Sequence, residues 1–236
     1  MKRKLFSTIT SKIFALAFVL ALAWQVNSQG AKTSYPNMAP VDQYLMADKN
    51  AEVALARTAA PDSISRDAEI LVLTQHGYET AAKGTNGFVC LVERGWTAPI
   101  NDPNFWNPKL RGAICLNPPA ARTYLPITIK KTRLVFAGSS ETQMFEGIKV
   151  AFEKKELPTL EPAAMCYMMS KESYLGDGNG HWHSHLMFFT PLADPASWGA
   201  GLPGSPVVVG VKDTEDRMNV FMIPVAKWSD GTPDHP

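Results

Sequence analysis

The sequence is short of charge bias: 23 Lys and Arg stand against 22 Asp and Glu, together 19% of 236 residues. Beyond Lys2-Arg3-Lys4 at the start it contains no basic run to grip phosphates, which argues against nucleic-acid binding. Long apolar runs are also missing. The longest, residues 13–23 (IFALAFVLALA), falls well below the roughly 20 residues that span a bilayer, so a polytopic membrane protein is excluded. Cysteine is scarce, three in all, which excludes a disulfide-dense scaffold. There is no Gly-x-Ser-x-Gly elbow, no Gly-x-x-x-x-Gly-Lys phosphate loop, no His-Glu-x-x-His and no Cys-x-x-Cys. Internal repeats and low-complexity tracts are absent. With 45% hydrophobic residues, the chain is neither disordered nor fibrous.

What is present begins with a leader. Lys2, Arg3, Lys4 and Lys12 precede and flank the apolar run, and no acid accompanies them. This is the pattern of a secretory signal peptide, with cleavage expected after Val26-Asn27-Ser28 and Ala21-Leu22-Ala23 as the second choice. An uncleaved amino-terminal anchor is the alternative. No cysteine follows the run, which argues against lipoprotein anchoring. Residues 1–28 carry four of the 23 bases and none of the 22 acids, so residues 29–236 hold 19 bases and 22 acids, a net −3. The expectation is a periplasmic or secreted protein with one mature domain over 29–236, preceded at 29–40 by a flexible lead-in. No membrane span is expected after cleavage.

Residues 42–59 are Ala-rich and read as one or two helices, with Asp42 and Asp48 as N-caps and Pro61 beyond the end. Strand signals follow at 69–74 (EILVLT), 77–83 and 88–93 (FVCLVE). The Asn86-Gly87 pair favours a tight turn with positive φ, so a three-stranded antiparallel meander is expected. Residues 94–119 look irregular. A helix is expected after Asn117, with Pro118 in its first turn and a break at Pro126. Residues 127–136 suit helix or strand. Ser140 and Gln143 form a capping-box pattern before the stripe Met144, Phe145, Ile148, Phe152 and Lys155. Strands are expected again at 163–169, 182–190, 206–212 and 218–225. The fold class is therefore α+β: antiparallel sheet with a few helices grouped between an N-terminal meander and C-terminal strands.

The most unusual cluster is Gly180-His181-Trp182-His183-Ser184-His185, which holds three of the five histidines. On a strand, His181, His183 and His185 share one face, neighbours being about 6.6 Å apart along the backbone. A metal needs nitrogens about 2 Å away, so two adjacent histidines can converge on one ion and a straight strand cannot bring all three. A divalent zinc, iron, copper or manganese ion would then need a ligand from elsewhere, with His76, Glu79 and Asp177 as candidates. Structural or surface histidines are the competing reading. The run Gly176-Asp177-Gly178-Asn179-Gly180 lacks the Glu of a calcium loop, Phe188 standing at that position. Trp96, Phe105 and Trp106 lie among Asn101, Asp102, Asn104 and Asn107, a composition suited to a ligand-binding loop or to aromatics that anchor the loop. Of Cys90, Cys115 and Cys166, the first two are the expected disulfide partners on loop length, with three reduced thiols as the alternative.

The stretch around residues 84–94 and the histidine cluster resemble uncharacterised exported bacterial proteins, a likeness that implies an envelope location and brings no activity or catalytic residue. Whether the protein is an enzyme stays open at this point. The function expected is an exported envelope module that binds a small ligand or envelope partner or serves a structural role. The alternative is a metal-dependent hydrolase or oxidoreductase built on a His-x-His pair.

Overall fold

A computed structural model of the chain describes residues 35–99, 102–176, 182–213 and 216–234. Strands β1 (Glu69–Thr74), β2 (Gly77–Ala82), β3 (Val89–Glu93), β4 (Gly112–Leu116), β5 (Met165–Met168), β6 (His185–Pro191), β7 (Val208–Asp213) and β8 (Met218–Pro224) form one sheet. Its order is β2-β1-β3-β4-β5-β6-β8-β7. Every neighbouring pair is antiparallel except β1 and β3, which are parallel. The helices are α1 (Lys49–Arg57), α2 (Asp62–Ser65), α3 (Pro118–Thr123), α4 (Leu125–Phe136) and α5 (Glu141–Glu153). The class is α+β: α3, α4 and α5 lie between the first four strands and the last four, while α1 and α2 precede β1. No helix among the described residues is long and apolar enough to cross a membrane.

The meander differs from the expected one. β2 does pair with β1, but β3 lies on the other side of β1. The Asn86-Gly87 segment is therefore a wide loop over the start of β1 and not a two-residue hairpin. Gly84 permits the crossing: a Cβ there would fall 2.1 Å from the Glu69 nitrogen. Asn86 fastens the loop, donating to the Ile64 carbonyl and accepting from the Phe88 amide.

Alternation along the strands sorts the core into two layers. On one face Ile70, Val72, Cys90, Val92, Ala113 and Cys115 pack under Leu55 and Ala56 of α1. On the other, Leu91, Ile114, Leu116, Cys166, Met168, Phe189 and Val220 pack under Ala120 and Tyr124. Pro118 starts α3 after the Asn117 cap, which accepts from the Ala120 amide. The chain then restarts as α4 with Pro126 in its first turn. The ambiguous 127–136 stretch is helix, because that conformation buries Ile127 and Val135. The capping box at Ser140 and Gln143 is formed. Residues 35–39 include Tyr35, Met38 and Ala39 packed against the cluster around Tyr44 and Trp96, so this part of the expected flexible lead-in is held to the core.

Cys90 and Cys115 stand opposite each other on β3 and β4 and are joined by a disulfide, leaving Cys166 as a buried free thiol.

Candidate functional site

The alternation of β3 turns Val89, Leu91 and Glu93 to the same face. The first two are ordinary core residues. Glu93 continues their register and so is carried into the interior, 7% exposed. Facing it, Tyr124, Thr128 and Lys131 recur at spacings of four and three, which places them on one stripe at the start of and along α4. The Tyr124 hydroxyl donates to Glu93 Oε1 at 3.1 Å, and the Thr128 hydroxyl donates to the same oxygen at 3.3 Å. Lys131 donates to Asp216 in a pair whose side chains are 1% and 2% exposed.

Beside Glu93 lies a cavity of about 210 Å³. Met168, Met187, Met218, Phe189, Leu175 and Val220 form an apolar side of its wall, with Tyr124 stacked on Phe189 at a ring separation of 4.0 Å. The loop after β3 contributes Thr97, Asp102 and Asn104. Opposite Glu93 on β4 stands Gly112. A Cβ at Gly112 would sit 3.3 Å from Leu175 Cδ2 and 3.5 Å from Met168 Cε, so glycine leaves the space that the cavity occupies. A wider surface hollow of about 730 Å³ lies near the end of α5, but its buried carboxylate, Asp216, is engaged by Lys131.

Burial pushes the Glu93 carboxyl up to about 6, against the pull of the Tyr124, Thr128 and Thr97 hydroxyls and the Lys131 charge. Burial also raises the Tyr124 hydroxyl well above its ordinary value, and the Glu93 charge adds to that. The Cys166 thiol is raised well above its own value for the same two reasons. A buried thiol held protonated is a poor nucleophile. Arg94 follows Glu93 in sequence but points away. It donates to the Tyr44 carbonyl (2.8 Å), the Val92 carbonyl (2.5 Å) and Glu52 Oε1 (2.9 Å), and is fully buried.

Among the described residues, His183 and His185 are not gathered into a metal centre. His181 and Asp177 lie outside the described residues. His183 Nδ1 meets Asp234 Oδ2 at 3.3 Å, the carboxylate being buried and the imidazole half-exposed. Asp234 also accepts from the Ser184 amide at 2.8 Å. His185 donates from Nδ1 to the His183 carbonyl at 2.7 Å and lies edge-on to Trp182. Burial lowers its pKa, against the effect of that hydrogen bond. Among the described residues no group of three or more His, Cys, Asp and Glu side chains is arranged for a metal ion. The other proposed ligands, His76 and Glu79, are exposed on the β1–β2 hairpin.

Trp96, Phe105 and Trp106 are buried, in keeping with aromatics that anchor the loop, and Trp106 also edges a shallow surface hollow beside Ser140. Trp96 donates from Nε1 to the Thr132 hydroxyl and packs on Tyr44, while Phe105 meets Trp106 edge-to-face at 4.6 Å. They anchor the loop whose neighbouring residues, Thr97, Asp102 and Asn104, reach the cavity.

Glu93 and the α4 stripe did not stand out in the sequence. The signal was there: a carboxylate in the inward register of an apolar strand, and polar residues at helical spacing on a face that must be buried. Comparison with protein-family models, curated proteins and solved structures finds no match to this chain.

Proposed function

We propose that the protein is an exported binding module that takes a small, largely apolar molecule into the cavity beside Glu93. The observation that carries this reading is a buried carboxyl set among thioethers and aromatic rings at the edge of a void. Such a combination of apolar walls and one polar anchor is the usual chemistry of a small-molecule site. Methionine walls adapt to different ligand shapes, which favours binding over a rigid fit. Catalysis has less support: the Tyr124 hydroxyl is donated to Glu93, and Cys166 is kept protonated. Export rests on the leader pattern and accords with the Cys90–Cys115 disulfide.

The test is a thermal-melt screen of small neutral and charged organic fragments against the wild type and Met187→Phe, which narrows the cavity. Fragments that raise the wild-type melting temperature and fail to raise that of the variant support the site. Fragments that act equally on both contradict it.

A second reading places a divalent metal ion at His183 and His185. The buried Asp234 carboxylate against His183 favours it, since such carboxylates commonly orient metal-ligating imidazoles. It requires ligands beyond those two.

A further inference from the structure

We propose that the ligand of this cavity is an organic cation, a protonated amine on an apolar body, with Glu93 as its counter-ion; this rests on the cavity being a binding site.

The argument is one of charge and donor accounting. The cavity is lined by two carboxyl groups, Glu93 and Asp102. The cations around it are committed elsewhere. Each guanidinium nitrogen of Arg94 donates to the Tyr44 carbonyl, the Val92 carbonyl or Glu52. Lys131 is paired with the buried Asp216. The hydroxyl donors are committed too: Tyr124 and Thr128 to Glu93, and Thr97 to the Arg94 carbonyl. Arg94, which also lines the cavity, has three of its five N–H groups in these bonds, and the Asn104 amide is a further side-chain donor at the wall.

An anionic ligand would therefore lose its water and meet carboxyl groups of like charge, with few side-chain donors to receive it. That arrangement excludes it strongly. A neutral alcohol would gain a single hydrogen bond. A protonated amine brings several donors and a charge to a site with acceptors and negative charge in excess. The stacked Tyr124 and Phe189 rings and the three methionines add polarisable surface, and ring faces attract ammonium groups.

Size narrows the class further. An engineered apolar cavity of roughly 150 Å³ accepts benzene. The space here, about 210 Å³, suits one ring carrying a short arm. A single-ring arylalkylamine is the simplest representative.

The experiment is calorimetric titration of the purified protein at pH 7.5 with three probes of one shape: benzylamine, benzyl alcohol and benzoate. Charge-assisted hydrogen bonding should make benzylamine roughly ten- to hundredfold tighter than benzyl alcohol, with benzoate the weakest. Glu93→Gln keeps the shape and an acceptor oxygen, and should bring amine and alcohol to within about threefold. The wild-type comparison stands by itself if the variant does not fold. Equal binding of amine and alcohol, or a preference that survives Glu93→Gln, overturns the amine assignment and leaves the binding site standing. If none of the probes binds but the fragment screen gives cavity-dependent hits, the amine assignment alone falls. If that screen is also empty, both fall.

Discussion

Replacing Glu93 by Gln should make the protein more stable at neutral pH, although it removes a buried, hydrogen-bonded residue. The carboxyl ionises at about 6 in the fold, against 4.5 when exposed. A carboxyl with a raised folded-state value favours folding in its protonated form. Its contribution is fully present below pH 4.5 and is lost as pH rises through about 6. At 1.36 kcal/mol per pKa unit, ionising Glu93 costs the fold about 2 kcal/mol by pH 7.5. The amide of Gln still accepts from Tyr124 and Thr128 but never ionises. The variant should therefore match the wild type within about 1 kcal/mol at pH 4.5 and exceed it by up to about 2 kcal/mol at pH 7.5. For a domain of this size that is about 4–8 °C in melting temperature. Urea unfolding of both proteins from pH 4.5 to 8 measures it, since pH effects from shared groups cancel in the difference. A difference that does not change with pH, or one that favours the wild type increasingly as pH rises, would refute the buried-carboxyl account.

Other perturbations have equally definite outcomes. Arg94→Met leaves the Glu52 carboxylate buried without its cation, and should cost about 3–5 kcal/mol in the same assay; a loss under 1 kcal/mol would mean water reaches the pair. Changing Cys90 and Cys115 together to Ala opens a 25-residue link, and should cost about 3 kcal/mol without altering Cys166. For the histidines, the binding reading expects no stoichiometric metal in tag-free protein, and folded His183→Ala and His185→Ala variants. About one zinc, iron, copper or manganese per chain, lost in either variant, would favour the metal reading instead.

Much of the fold was legible because it depends on local signals. The Ser140–Gln143 box, the Asn117 cap with Pro118, and the apolar runs of β1, β3 and β6 are all written in short windows. β4 was not: Gly112–Leu116 is a short run opening with Gly and Ala, set in a stretch rich in Pro and Asn, and its strand character comes from pairing with β3 and β5. The position of β3 was hidden for the same reason. Asn86-Gly87 satisfies a hairpin locally, while the choice between β1 and β2 as neighbour is made by tertiary packing and by the space above Glu69 that Gly84 leaves. The histidine cluster drew attention by residue type, whereas placement decides what a residue does: His185 is held to the His183 carbonyl and His183 to Asp234. Glu93 drew none, since a strand ending in Glu is commonplace. Its meaning required Tyr124, Thr128 and Lys131, more than thirty residues away, to arrive against it.

The measurement that bears most directly on the binding site is a carbon-13 methyl spectrum of methionine-labelled protein, titrated with the fragment that most raises the melting temperature. Met168, Met187 and Met218 line the cavity, whereas Met38 packs near Tyr44 and Met46 beside α1. Occupation of the cavity should move the first three methyl signals together along one binding curve and leave the other two in place, whereas in Met187→Phe the Met168 and Met218 signals should stay where they are. Movement confined to Met38 or Met46, or no movement of the three cavity methyls at saturating fragment, would contradict the assignment of the Glu93 cavity as the binding site.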